Sequence, residues 1–241
     1  IGQSSDTMHS KIPRFSCEAA MDDLPLRYSE MGGFPIDHSE QLIRLFKSDF
    51  MEFFTHVSPV TVVVIWLPVA AWLLASAIRQ HSGPAFPTYI PAGVLLGIIL
   101  WTFAEYTLHR FVFHYHPRGA ALKRLVFLFH GIHHAQPQCK TRLVMPPAVS
   151  VPMSLVFYGL FSLVAGNLLK SPQWVNPLVA GFMLGYLVYD LTHYATHHFP
   201  MRWGFLKFLK RYHMQHHFKT PDRRFGVSSP LWDLVFGTYP S

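Results

Sequence analysis

The chain has 241 residues, of which 50% are hydrophobic and only 14% charged, and its formal net charge is +7. Two cysteines are too few for a disulfide framework or a cysteine-ligated metal centre. The basic residues are spread over several segments and form no single run, so the composition is typical of a membrane protein and excludes a nucleic acid partner.

The N-terminal part of the chain is polar and mixed in character. We predict that residues 1–44 form a cytosolic arm and that residues 45–241 form one membrane-embedded domain. The first residue is Ile1 and not methionine, which is typical of a fragment. Residues 1–56 contain no recognisable cleavable signal peptide.

Four apolar stretches are long enough to cross a bilayer, which takes about 20 helical residues. They are residues 57–78, 89–113, 147–169 and 174–194. For the third stretch an alternative stays open, because Pro146, Pro147 and Pro152 crowd its start and would suit a buried or re-entrant segment. The main prediction is an all-α protein with four transmembrane helices.

The distribution of lysine and arginine predicts the orientation of these helices. The two short links between stretches hold one basic residue each, Arg79 and Lys170, whereas the other 18 lie in the N-terminal arm, the central loop and the C-terminal tail. Because cytosolic loops carry the excess of positive charge, both termini are expected in the cytosol. The membrane would be the endoplasmic reticulum in a eukaryote and the inner membrane in a bacterium.

Ten histidines beside the apolar stretches are the strongest functional signal. Imidazole is the commonest nitrogen ligand of transition metals, and offsets of three or four residues place side chains on one helical face. A tetrahedral zinc site closes at four ligands, so ten histidines predict two metal ions with about five ligands each. The four groups are His109-x4-His114, His130-x2-His133-His134, His193-x3-His197 and His213-x2-His216-His217.

The histidine groups belong to two similar halves. Each half has an apolar stretch, a histidine pair, a short amphipathic segment and an H-x-x-H-H group, and the first and third histidines lie 21 residues apart in one half and 20 in the other. The amphipathic segments predict helices on the membrane surface that form a cytosolic cap. Their apolar positions are Leu122, Leu125, Val126 and Phe129, and Phe205, Phe208, Leu209 and Tyr212.

Two acidic residues precede the histidine pairs. Glu105 lies four residues before His109, and Asp190 lies three residues before His193. Each carboxylate is expected to accept a hydrogen bond from the outer nitrogen of its histidine and so fix the tautomer and ring orientation.

The remaining histidines are expected to have no special role, with one exception. His198 adjoins His197 and could replace it as a ligand. The others are His9, His38, His56, His81 and His116.

Imidazole ligands alone do not name the metal. Zinc would serve hydrolysis or structure, whereas iron could activate O2. A site at the mouth of a transmembrane bundle is placed to act on an acyl chain whose tail stays in the lipid. Such a chain offers C–H bonds and no easily hydrolysed bond, so redox chemistry by two iron ions is favoured.

The sequence resembles the fatty acid hydroxylase superfamily and, within it, the fatty acid 2-hydroxylases, from about residue 45 to the C-terminus. The resemblance implies a dinuclear centre on the ten histidines, with iron for activity and zinc as an occupant of isolated protein. It implies O2-dependent hydroxylation at C2 of a long acyl chain, free or in a ceramide, with Tyr186, Tyr189 and Asp190 supporting the site. The matching stretches are LFKSDFMEFF (45–54), EYTLHRFVFH (105–114), HGIHHAQPQCKTRLVMPP (130–147), LGYLVYDLTHYATHH (184–198), and YHMQHHF with FGVSSPLWDLVFGT between residues 212 and 238.

One departure from many relatives concerns electron supply. Residues 1–44 lack the His-Pro-Gly-Gly motif of the cytochrome b5 domain that those relatives carry. Electrons are therefore expected from a separate acidic donor of the cytochrome b5 or ferredoxin type. Three alternatives are a sterol or carotenoid hydroxylase or desaturase, a zinc transporter or sensor, and a cap clamped by structural zinc.

Overall fold

The computed structural model describes residue 36 and residues 42–81, 83 and 87–240. Every regular element within these residues is helical, which confirms the predicted all-α membrane fold. The predicted arm lies almost entirely outside the described residues, as do His9 and His38.

Nine α-helices are numbered here in chain order, for the described part of the chain. Three π-helical turns extend them, and a 3-10 turn at Pro172–Trp174 precedes α7. The π-turns are π1 (His109–Phe113) after α3, π2 (Phe127–Gly131) between α4 and α5, and π3 (Ser162–Leu168) after α6. The helices are α1 (Asp49–Phe53), α2 (Pro59–Gln80), α3 (Tyr89–Leu108), α4 (Ala120–Val126), α5 (Ile132–Ala135), α6 (Pro147–Phe161), α7 (Val175–His198), α8 (Gly204–Phe218) and α9 (Leu231–Val235).

Four of these continuous helical stretches are long and apolar enough to cross a membrane. Their bounds differ from the predicted ones by at most four residues. The third is an unbroken helix of 22 residues, so its length favours a crossing over a re-entrant segment. Spans 1 to 4 are Pro59–Gln80, Tyr89–Phe113, Pro147–Leu168 and Pro172–His198.

Spans 2 and 4 pack together at the centre of the bundle through glycines spaced four residues apart. A Cβ atom at Gly97 would overlap the carbonyl oxygen of Leu178, and one at Gly181 would overlap that of Val94. Such close backbone approach is the usual role of small residues between membrane helices. The ends of the two spans, which carry histidines, are thereby held side by side. The glycines are Gly93, Gly97, Gly181 and Gly185.

Spans 1 and 3 both pack against span 4. Trp66 of span 1 packs edge-on against Tyr186, with ring centroids 6.2 Å apart, and Phe157 of span 3 lies 4.5 Å from the ring of Phe182. Span 4 is mostly buried, whereas most of span 3 is exposed. Exposed apolar residues on a helix of this length are the surface that lipid would cover.

The two predicted surface helices are present, as α4 with π2 and as α8. On the first, the predicted apolar residues Leu122, Leu125 and Phe129 are exposed. On α8 the predicted apolar residues fall into two sets, because Leu209 and Tyr212 are buried in the protein whereas Phe205 is exposed. The second surface helix is therefore anchored to the core as well as being amphipathic.

Candidate metal centre

The ten predicted histidines converge into two groups at one end of the bundle. Within each group one ring nitrogen from every residue lies within 4.8 Å of the others. The groups adjoin, since the ring of His134 stacks on that of His217 with centroids 4.1 Å apart. Group A is His109, His114, His130, His134 and His216, and group B is His133, His193, His197, His213 and His217.

The two halves of the chain exchange one histidine each. The middle member of the first H-x-x-H-H group, His133, joins group B, and the middle member of the second, His216, joins group A. On a helix the outer two members are four residues apart and share a face, whereas the middle one points about 60° or more to the side. Neither group is therefore complete without the other half.

The π1 turn explains the unequal spacing of the two histidine pairs. His193 and His197 are four residues apart on regular α-helix, but His109 and His114 are five apart, an offset that an α-helix would place on different faces. In π1 the amide of His114 donates to the carbonyl of His109 at 3.1 Å, so the five-residue step closes one turn. From the second histidine to the third, both halves count 16 residues.

The separations between ring nitrogens fit a metal ion with more than four ligands. In group B the Nε2 atoms of His133 lie 2.9 Å from those of His193 and His217, and in group A His130 lies 3.1 Å from His109 and 2.9 Å from His134. An ion about 2.1 Å from each nitrogen sets neighbouring nitrogens about 3.0 Å apart at right angles and about 3.4 Å apart in a tetrahedron.

Hydrogen bonds between the rings cannot account for this clustering. A ring nitrogen that carries a hydrogen has no lone pair with which to accept, and each Nε2 has at most one hydrogen to donate. The chain of close Nε2 contacts that runs from His193 through His133, His217 and His213 to His197 cannot all be satisfied in this way. A cation shared by the five lone pairs satisfies them together.

Electrostatics keeps these rings in the form that binds metal. Burial, and next the neighbouring imidazoles, lower the pKa well below the usual 6.5 for the group members outside the membrane spans. The rings are therefore neutral near pH 7, as a ligand must be. These residues are His114, His130, His133, His134, His213, His216 and His217.

The predicted hydrogen bonds, donated by His109 to Glu105 and by His193 to Asp190, are absent from the described part of the chain, so that expectation is wrong. Glu105 accepts instead from the backbone amides of Val227 and Ser228, at 2.6 and 2.8 Å. Among the described residues the Nδ1 atom of His193 has no hydrogen-bond partner. Both carboxylates thus accept from backbone amides and not from the rings.

Backbone carbonyls near the C-terminus take the role that was predicted for Glu105. His109 Nδ1 lies 2.5 Å from the carbonyl oxygen of Phe225, and His216 Nδ1 lies 2.7 Å from that of Arg223. Neither contact could be predicted from the sequence, because a backbone acceptor leaves no mark in residue type. Asp233 was not predicted either; it is fully buried and accepts from the amides of Phe225 and Gly226.

Asp190, Tyr186 and Tyr189 lie next to group B. Asp190 accepts from the amide of Met145 at 3.2 Å and from the hydroxyl of Tyr186 at 3.1 Å. The ring of Tyr189 stacks on that of His193, with centroids 5.8 Å apart. All three residues are buried.

A mostly apolar cavity of about 250 Å³ adjoins both histidine groups. It lies between α1, the α4–π2 helix and the first turn of span 3, and His130, His133 and His193 face it. Tyr189 and Asp190 also line this cavity, whereas Tyr186 lines a smaller one deeper in the bundle. The volume of the larger cavity is several times that of one water, which is about 30 Å³, so this cavity can admit part of an organic molecule. Its apolar lining includes Phe54, Phe113, Leu128, Met145 and Val149.

Four further described histidines, His56, His81, His116 and His198, stay outside the groups. His198 is not in group B, which contains His197 instead, and its ring packs on Tyr194 with centroids 4.7 Å apart. His56 lies 2.7 Å from Thr141 Oγ1 and 3.1 Å from the guanidinium of Arg142.

Comparisons with known proteins agree with this architecture. The sequence model of the fatty acid hydroxylase family matches residues 94–238. A dihydroceramide fatty acyl 2-hydroxylase of Arabidopsis thaliana is 40% identical over 198 residues, which cover 82% of this chain and 80% of that protein. A fatty acid 2-hydroxylase of Mus musculus is 37% identical over 219 residues, covering 81% of this chain and 56% of that protein.

A solved structure has the same fold. It is described as full-length scs7p with only the hydroxylase domain visible, and its TM-score is 0.77 at 35% sequence identity, covering 86% of this chain and 75% of that one. The sequence resemblance is thus confirmed, and with it the expectation of a hydroxylase. The family and the histidine clusters together suggest a metal site. The chain belongs to the fatty acid hydroxylase family.

Proposed function

We propose that this protein hydroxylates C2 of a long acyl chain, in a free fatty acid or in a ceramide. The observation that carries the proposal is the cavity, which is apolar along most of its wall and faces rings from both histidine groups. The relatives described above are named for fatty acyl substrates and not for sterols or carotenoids. An acyl chain in this cavity would bring its C–H bonds to the metal centre.

Each of the two histidine groups, A and B, would hold one iron ion. When bound, such a pair of ions would activate O2 for hydroxylation. One oxygen atom would be inserted into the C–H bond at C2, and the other would leave as water after taking up two electrons and two protons, the electrons coming from a donor protein. The short distances between ring nitrogens within each group support a metal ion with more than four ligands, and iron readily takes such a coordination number.

The chain's own residues bind and orient the substrate beside this centre. Tyr189, stacked on His193, forms part of the wall nearest group B. Asp190 fixes the backbone at Met145, which is another part of the wall. Apolar residues exclude water and align the acyl chain. We assign Tyr189 and Asp190 to the catalytic wall and Tyr186 to the support of Asp190.

The test is lipid analysis after co-expression of the chain with a one-electron donor protein. We expect a gain of 2-hydroxylated acyl chains, measured by mass spectrometry, and its loss in His130→Ala. The matched control is His116→Ala, since this exposed histidine lies outside both groups. Hydroxylation at another carbon, or on a sterol or carotenoid, would contradict the proposal.

Electrons would come from a separate acidic donor of the cytochrome b5 or ferredoxin type on the cytosolic side. The outer face of α8 supports this, because a groove there is lined by basic residues while the inner face of the same helix carries His213 and His217. Opposite charge speeds the encounter of such partners. The basic residues of the groove are Arg202, Lys207, Lys210, Arg211 and Lys219.

Charge reversal tests the donor surface. Lys207→Glu with Arg211→Glu should slow reduction by the donor severalfold at low salt, with little change at high salt, where charge is screened. The control is Lys170→Glu, at the far ends of spans 3 and 4. Equal slowing by both variants would argue against this surface.

A further inference from the structure

The two histidine groups differ in what lies behind the rings. In group A the Nδ1–H groups of His109 and His216 donate to the carbonyl oxygens of Phe225 and Arg223, at 2.5 and 2.7 Å. A ring that donates from Nδ1 keeps its lone pair on Nε2, the atom that faces the group. These two rings are therefore held in the metal-binding tautomer before any ion arrives.

Group B lacks such support among the residues that the structure describes. The Nδ1 atoms of four of its five rings are buried and have no hydrogen-bond partner there. Nothing in the described protein thus selects between the two tautomers of these rings. The four residues are His133, His193, His197 and His213.

The carbonyls that serve group A belong to one short stretch, residues 223–228, which we name the frame segment. Asp233 accepts from the amides of Phe225 and Gly226, at 2.9 and 2.7 Å, and from the hydroxyl of Thr238 at 2.7 Å. At Gly226 any Cβ atom would overlap the carbonyl oxygen of Ser229, so the segment can pack this closely only with glycine there.

Glu105 holds the other end of the frame segment. Its carboxylate accepts from the amides of Val227 and Ser228 and from the hydroxyl of Ser228. Glu105 and Asp233 are both buried, at 3% and 0% exposed. The two carboxylates together accept from four successive backbone amides, residues 225–228. These hydrogen bonds fix the segment so that the carbonyl oxygens of residues 223 and 225 contact the rings of group A.

We propose that the frame segment, with Glu105 and Asp233 as positioning residues, serves group A alone and makes it the more tightly binding of two unequal metal sites. The inference deepens the proposed function, because it assumes that both groups bind metal, but it holds for any reaction at the centre. Outer hydrogen-bond partners of this kind typically change metal affinity 10- to 100-fold.

The experiment follows the release of Zn²⁺ from the purified full chain in detergent under excess chelator, with metal per chain measured by mass spectrometry. We expect two phases of one ion each, differing about 10- to 100-fold in rate. The single-ligand variants His114→Ala and His197→Ala assign the phases, since they remove a ligand from group A and group B respectively. A single phase, or slower release from group B, would overturn the inference.

Asp233→Asn tests the frame segment itself. The side-chain NH2 of asparagine cannot accept, so it would lose a hydrogen bond that one oxygen of Asp233 accepts from a backbone N–H or from the Thr238 hydroxyl. We expect the slow phase to become about 10- to 100-fold faster and the fast phase to stay unchanged. The control is Asp222→Asn, which changes an exposed carboxylate one residue before the frame segment. A merely structural role would instead speed both phases together.

A milder variant covers the case in which Asp233→Asn fails to fold. Ser228→Ala removes one hydrogen bond to Glu105 and should speed only the slow phase, by severalfold. No effect on that phase in a folded variant would count against the frame segment. A wild-type chain that binds no metal at all would instead refute the metal centre on which the proposed function rests.

Discussion

At the scale of single residues, the hydroxyl of Tyr186 tests how the wall of the cavity works. It donates to Asp190, which in turn accepts from the amide of Met145, yet Tyr186 does not line the larger cavity. Tyr186→Phe should therefore reduce the free energy of unfolding by about 1 kcal/mol and turnover by less than about tenfold. Unfolding in detergent and product formation by mass spectrometry measure the two effects.

Asp190→Asn should be the more severe of this pair of variants. It loses a carboxylate that fixes both the backbone of Met145 and the Tyr186 hydroxyl, so KM should rise along with a fall in kcat. Both variants should keep two metal ions per chain, because neither side chain hydrogen-bonds to a ring of either group in the described structure. A folded, metal-loaded Tyr186→Phe without any turnover would mean that the hydroxyl takes part in the chemistry.

At the scale of helices, the contact between spans 2 and 4 decides whether the two histidine pairs meet. In Gly181→Ala the added methyl group would overlap the carbonyl oxygen of Val94, which is backbone and cannot turn aside. We expect a loss of about 3 kcal/mol or more, at or beyond the upper end of ordinary overpacking, and poor metal retention. Thermal unfolding in detergent and metal content measure both.

The matched control for this contact is Gly159→Ala on span 3. No atom lies within 4 Å of the position that a Cβ would take there, and alanine favours helix over glycine by about 1 kcal/mol. This variant should be neutral or slightly stabilising. If Gly181→Ala behaved in the same way, the close approach of the spans would not be what positions the histidines.

The helices also mark the limit of prediction from sequence. Hydropathy and length predicted the four spans to within four residues, since both follow from composition along the chain. The π1 turn could not be predicted in this way, although the five-residue step from His109 to His114 against four in the other half was its signal. The link between Asp233 and His109 depends on contacts over more than a hundred residues, which no local pattern encodes.

At the scale of the whole molecule, the exchange of His133 and His216 between the halves makes the cap one unit. Each metal group draws four ligands from one half and one from the other. Binding at either group therefore ties both surface helices, α4 with π2 and α8, to the same two spans. Loss of either ion should loosen both halves and not only the one that supplies most of its ligands.

Complete removal of metal should release the cap while leaving the spans helical. Each buried ring nitrogen left without a partner costs about 1–3 kcal/mol, and ten such rings converge here. Hydrogen–deuterium exchange of the chelated protein should thus show lost protection in residues 120–135 and 204–218, with spans 1 and 3 still protected. The transmembrane helices keep their own backbone hydrogen bonds in lipid or detergent, so circular dichroism should change little. Protection lost in one half alone would contradict the interlocked arrangement, since each half is held by ions that the other half helps to bind.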